Sequence, residues 1–128
     1  MASNSSDQFD RQSMTRSIEI EDAEMRNLVA PDTFWIPDTD RRMACLPGEM
    51  VKLHFALADG DLVNHVASER MWVEISTAEG GRYTGLLKNA PVEIDARYLK
   101  LGDEVTFEAR HIMDVLTPAE VLELGGPA

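Results

Sequence analysis

The sequence predicts an α+β domain: a strongly bent, mostly antiparallel sheet of about five strands, with one helix before it and a short helix after it. Three observations predict it. Residues 50–57 read MVKLHFAL, placing Val51, Leu53, Phe55 and Leu57 on one face and Met50, Lys52, His54 and Ala56 on the other. A period of two is what a strand with one buried face requires. Short apolar runs then recur as far as Asp114, separated by Gly- and Pro-marked turns, the spacing of a sheet built from hairpins. Finally, Glu79-Gly80-Gly81 joins two of these runs, and paired glycines supply the positive φ that a tight hairpin demands. Whether such a sheet stays open or closes into a barrel is not fixed by the pattern.

The elements follow in order. Residues 1–17 form a polar tail, and residues 18–128 the single domain. In the stretch IEIEDAEMRNLVA, Glu19, Glu21, Asp22 and Glu24 crowd the start, Arg26 lies near the end and Pro31 follows, which suits a helix and its dipole. Phe34, Trp35 and Ile36, bracketed by Pro31 and Pro37, read as core or lid contacts. Leu46-Pro47-Gly48 turns the chain into the first clear strand, and Asp59-Gly60-Asp61 ends it. A polar loop through His65 and Ser68 leads to a strand with Met71, Val73 and Ile75 on one face and Trp72 and Glu74 on the other. Gly85 in the returning strand marks a bulge or a close backbone approach. Asn89-Ala90-Pro91 breaks that strand, and Val92–Ile94 reads as a brief strand or edge. After the Leu101-Gly102-Asp103 turn, Val105, Phe107 and Ala109 alternate with Thr106 and Glu108. Thr117-Pro118-Ala119-Glu120 is a capping box with proline in the first turn, and Gly125-Gly126-Pro127 stops the helix it starts.

Composition bounds the function. A chain of 128 residues with 44% hydrophobic content is one domain's worth of material with enough apolar side chain for a core. Its apolar runs fall far short of the roughly 20 residues that span a bilayer, and the polar N-terminus lacks a secretory apolar region. The expectation is a soluble cytoplasmic protein. The single cysteine, Cys45, excludes an internal disulfide and suits a reducing compartment, where it serves as a small, semi-buried apolar side chain. A net charge of −11 disfavours nucleic acid and anionic membranes as partners and favours a basic protein by steering. The same acidity also keeps a small domain soluble.

Chemical signatures are sparse. No phosphate loop or dinucleotide fingerprint occurs, so no cofactor is expected. His54, His65 and His111 are too far apart to form a metal-ligand pair by spacing, and no metal site is expected. Ser68, Ser76 and Thr84 lie outside any Gly-x-Ser-x-Gly pattern, and no residue is assigned as catalytic. Asp103, Glu104 and His111 flank the last long strand; they would form an acid–base cluster only if folding converged them, and a turn role for Asp103 is the simpler alternative. Trp72 shares its face with Glu74, opposite Met71 and Val73. It is a binding anchor if that face is solvated and a core residue if the face is covered. The candidate binding set is Trp72 and Glu74, with Tyr83 from the neighbouring strand and the acidic turn positions Asp59, Asp61 and Asp103.

One resemblance adds to this reading. Glu69, Met71, Trp72 and Val73, then Gly85, Leu87, Asn89 and Pro91, then Gly102, Asp103, Val105 and Phe107 reproduce in order the motifs of the bacterial YegJ-like family of domains of unknown function. The closing Ile-x-Asp-Trp motif is met only by Ile112 and Asp114, because Val115 stands where the family has tryptophan. The likeness runs from about Ala23 to Val115. It implies an intracellular accessory protein and lends no catalytic residue. Together the sequence leads to a non-enzymatic, acidic protein-binding module, an immunity or accessory factor that is a monomer or weak homodimer and meets a basic partner. The alternatives are a small-ligand sensor with an apolar cavity and an enzyme of unknown class.

Overall fold

The computed structural model describes residues 16–59 and 65–124. Nearly all of the 1–17 tail, Gly60 and Asp61 at the end of the first long strand, and the Gly125-Gly126-Pro127 stop lie outside the described residues. The elements are β1 (Arg16–Ile20), α1 (Ala23–Val29), α2 (Thr39–Met43), β2 (Met50–Asp59), β3 (His65–Glu79), β4 (Arg82–Leu87), β5 (Glu104–Glu108), a 3₁₀ turn (Ala109–His111), β6 (Asp114–Leu116) and α3 (Pro118–Glu123). All six strands join one antiparallel sheet in the order β1-β2-β3-β4-β5, and β6 pairs the start of β2. The sheet is wrapped far enough to be nearly a barrel, so the predicted α+β class holds.

The alternation in the sequence sets the inside of this wrap. Val51, Leu53, Phe55, Met71, Val73, Ile75, Tyr83, Leu87, Val105 and Phe107 are buried in one cluster, joined by Ile94, Leu99 and Ile112 from outside the strands. Gly80 and Gly81, both at positive φ, form the two-residue turn between β3 and β4, with Glu79 paired to Arg82 across it. Opposite Gly85 the register of β3 shifts between Ile75 and Thr77. A Cβ at Gly85 would meet the Glu74 carbonyl and lie 2.6 Å from Val73 Cγ1, so the predicted close approach is a contact with the bulged neighbour.

The N-terminal segment differs from expectation. Its first half, Arg16–Ile20, is a strand paired to β2, and only Ala23–Val29 is helical, with Asp22 as N-cap accepting from Met25 N–H at 2.9 Å. Ile18 and Ile20 face the core cluster, and this period of two overrides the acidic crowding that suited a longer helix. Val92–Ile94 is not a strand. It is a loop whose three N–H groups all point at one carboxylate, that of Glu69. At the C-terminus the Thr117–Glu120 capping box is present in both directions, at 3.2 and 2.8 Å.

Candidate functional site

Every pair in the sheet is antiparallel, so β1 and β5, the first and fifth of the series, run parallel to each other across the open side of the wrap. Between them lies a cleft of about 420 Å³ lined by Ile18, Ile20 and Phe55 on one wall and Tyr98, Leu99, Asp103 and Glu104–Thr106 on the other. The Tyr98–Leu99 turn closes one end. Asp22 and Arg110, 3.2 Å apart, bridge the other.

Alternation of antiparallel hydrogen bonding decides which backbone groups look into this seam. Glu21 donates to the His54 carbonyl at 2.9 Å, so Ser17, Glu19 and Glu21 bond β2 while Ile18 and Ile20 turn their N–H and C=O outward. On β5, Ala109 donates to Gly81 and Leu87 to the Asp103 carbonyl, both at 2.9 Å. Val105 and Phe107 therefore bond β4, and Glu104 and Thr106 face the seam. Side chains alternate likewise: Val105 and Phe107 point inward, whereas Glu104 and Thr106 are exposed.

The residues singled out from the sequence scatter around this geometry. Trp72 lies on the outer face, half-buried, with Lys52 Nζ 5.2 Å from its ring centroid and its backbone N–H donating to Asn89 Oδ1 at 2.7 Å. Glu74 beside it pairs with Lys88 at 3.5 Å. Tyr83 does not share that face. It is 2% exposed, stacks on Phe107 inside the wrap, donates to the Arg42 carbonyl at 2.7 Å and accepts from Cys45 N–H at 3.3 Å. The register explains the correction: the bulge at Ser76 sets Tyr83 opposite Ala78 and across from inward Phe107. Asp103 stands at the seam entrance and accepts from Lys100 N–H at 2.9 Å, and this bond together with the ammonium beside it holds its carboxyl below the usual range. Asp59 closes β2, and Asp61 is outside the described residues.

Asp103 and Glu104 do not converge with His111, since they stand at opposite ends of β5. His111 is buried, and its Nδ1 accepts from the Glu108 N–H at 3.0 Å. Burial, reinforced by Arg110, pushes its pKa down against the opposing carboxylates of Glu108, Asp22 and Glu24, and a neutral ring is what that hydrogen bond requires. Cys45 is buried and free, with a thiol pushed up by burial, the opposite of an activated nucleophile. No group of three or more His, Cys, Asp or Glu residues that could hold a metal ion occurs among the described residues.

The chief surface feature not anticipated is Trp35. Read from its bracketing prolines as core or lid, it is 80% exposed. Phe34 and Ile36 on either side of it are half-buried; Phe34 lies under Arg26 with 4.9 Å from guanidinium to ring centroid, and its carbonyl accepts from Asn27 Nδ2 at 2.7 Å. Met25, Leu28 and Val29, exposed on α1, recur at the i, i+3, i+4 spacing of one helix face. That spacing marks an apolar helix face, ordinarily a buried one; its exposure comes from the tertiary packing.

The fold and seam thus define a class of small α+β proteins built on an antiparallel sheet wrapped nearly into a barrel. Residues 32–126 match the family described as an uncharacterized protein conserved in bacteria, DUF2314, and the chain belongs to that family. The matched segment holds β2 to β6, while β1 and α1 precede it. No curated protein and no solved structure matches the chain.

Proposed function

We propose that this member of the family is a non-enzymatic protein-binding module, an accessory or immunity-type factor whose acidic surface meets a basic protein partner. The kinship to YegJ-like proteins belongs to the same proposal. One observation carries it: the cations of the described residues are largely consumed within the molecule. Arg26 pairs with Glu21, Arg41 with Glu49, Arg42 with Glu24, Lys88 with Glu74, Lys100 with Asp103 and Arg110 with Asp22, while Lys52 lies on Trp72. Among the described residues Asp32, Asp40, Glu79, Glu93 and Glu104 are exposed and form no ion pair. In a chain of net charge −11, the acidic surplus of the described residues is therefore presented outward, where it raises the encounter rate with a positively charged partner. Exposed Trp35 supports the same reading, since aromatic anchors dominate interface energetics.

Affinity capture from a native lysate tests this. A stoichiometric basic protein is expected to be retained at about 50 mM salt and largely lost at about 500 mM, where the screening length shortens severalfold. Replacing Asp40, Glu79 and Glu93 by their amides is expected to weaken retention at low salt. Retention insensitive to both salt and the amide variant would refute the reading.

A further inference from the structure

We propose that the β1–β5 seam is a docking slot for an extended segment of a partner protein that alternates basic with β-branched side chains and adds itself as the missing strand. The inference rests on the protein-binding reading above and names the site and the chemistry of what enters it. Three observations converge.

The first is parity. Strands in an antiparallel sheet alternate direction, so β1 and β5 run the same way, and no antiparallel ladder between them can close the wrap. One further strand, antiparallel to both, completes an alternating ring. β6 does not serve, because it pairs the first residues of β2 through Met50↔Leu116 and Lys52↔Asp114.

The second is hydrogen bonding. Ile18 and Ile20 on one side, and Glu104 and Thr106 on the other, turn backbone donors and acceptors toward the cleft. Such edges are templates for strand addition, and natural sheets ordinarily blunt them with proline, charge or a covering element. No proline occurs in either strand, and their acidic side chains, Glu19 on β1 and Glu104 and Glu108 on β5, alternate with the inward residues and so sit on the outer face. Among the described residues the cover is confined to the ends of the seam, at Tyr98–Leu99 and at Asp22–Arg110.

The third is side-chain complementarity. The inner floor is apolar, formed by Ile18, Ile20, Phe55 and Val105. The outer rim carries Glu104, which forms no ion pair among the described residues, and Glu19, while Glu108 and the entrance residue Asp103 are paired with Arg110 at 3.3 Å and Lys100 at 3.1 Å. A strand lying between β1 and β5 alternates its own side chains between these environments, so apolar residues go in and lysine or arginine goes out.

The probe is the heptapeptide Lys-Val-Lys-Val-Lys-Val-Lys, with a Glu-Val counterpart and a Lys-Val version N-methylated at alternate residues. Binding is read by fluorescence anisotropy and by amide hydrogen exchange on the whole protein. The Lys-Val peptide is expected to bind and to slow exchange at Ile18, Ile20, Glu104 and Thr106, while the Glu-Val and N-methylated peptides do not. Glu104→Lys, at an exposed position outside the core, is expected to weaken binding about tenfold, as reversal of a rim charge opposite a cation does. Equal binding of the N-methylated peptide would overturn the strand-addition proposal while leaving the acidic-surface reading intact. So would Lys-Val binding without protection at Thr106. Protection of Thr106 in the peptide-free protein would overturn it in favour of a second copy or another part of this chain as occupant. No binding of any peptide, together with an empty lysate capture, would remove both readings.

Discussion

Two of the motif residues, Glu69 and Asn89, hold backbone N–H groups of other segments. Glu69, two residues before Met71, accepts from the N–H groups of Val92, Glu93 and Ile94 at 2.9, 2.8 and 3.0 Å. Desolvation pushes its pKa up, but the three backbone donors outweigh it and hold the carboxyl below the ordinary glutamate range. The anchored loop carries Ile94 into the core. Bonds from neutral donors to a charged acceptor are worth about 1.5–3 kcal/mol; because this loop is open to water, Glu69→Ala is expected to cost about 2 kcal/mol and Glu69→Gln about half that. A carboxyl whose folded pKa is depressed contributes stability that is present above its unfolded pKa and lost as pH falls through the folded value. Wild-type stability should therefore decline more steeply than that of Glu69→Gln as pH drops below the ordinary glutamate range. Urea melts at a series of pH values check this, and parallel profiles for the two proteins would contradict it.

Among the elements, the β3–β4 pair shows how unequal its glycines are. Gly80 sits at φ +57 with nothing within 4 Å of the place a methyl would take, whereas Gly85 has ordinary φ and no space, its methyl colliding with the Glu74 backbone and Val73. Gly80→Ala should cost about 1 kcal/mol, the strain of a left-handed residue. Gly85→Ala should cost about 3 kcal/mol, because the bulged strand must move. Chemical denaturation of the two variants gives the order, and a Gly80 cost equal to or above the Gly85 cost would show that the bulge yields easily. Strand legibility follows the same physics. The 50–57, 71–75 and 104–108 alternations are readable because each has one buried face, and the Thr117 capping box because it is wholly local. β1 is not legible as a strand, since Asp22 and Glu24 signal a helix start too late in the segment to exclude one beginning at Ile18. The Val92–Ile94 loop is unreadable because its organiser, Glu69, is 23 residues or more away in sequence. The face of Tyr83 is misread from alternation alone because the one-residue slip at Ser76 is set by pairing between strands. The seam is less legible still, being a consequence of how many strands pair and which edge β6 takes.

At the scale of the whole molecule, the charge that supports a basic partner also works against the fold. Most described ion pairs join half-exposed side chains, such as Arg26 with Glu21 at 41% and 32% exposure, and pairs of that kind contribute about 0–1 kcal/mol each. They do not offset the mutual repulsion of an excess of −11, which favours the expanded chain. Salt weakens both terms, but the repulsion acts over distances near and beyond a Debye length of about 10 Å at 0.1 M, where screening is strongest. The two tightest contacts are the least sensitive. Glu49, 8% exposed, takes the Arg41 guanidinium in two bonds at 2.7 and 3.2 Å, and Arg42, 5% exposed, binds Glu24, the Pro37 carbonyl at 2.8 Å and the Ala109 carbonyl at 3.1 Å. Raising sodium chloride from about 10 to about 300 mM should therefore increase Tm, by about 2–5 °C for a gain near 1 kcal/mol in a domain of this size. Arg42→Met should lower Tm at every salt concentration, because it strands Glu24 and two carbonyls, yet leave the salt slope nearly unchanged. Thermal melts followed by circular dichroism decide the matter: a Tm that falls with salt would mean that the ion pairs outweigh the repulsion, and that the outward acidity is more fully neutralised in the folded molecule than the described pairs account for.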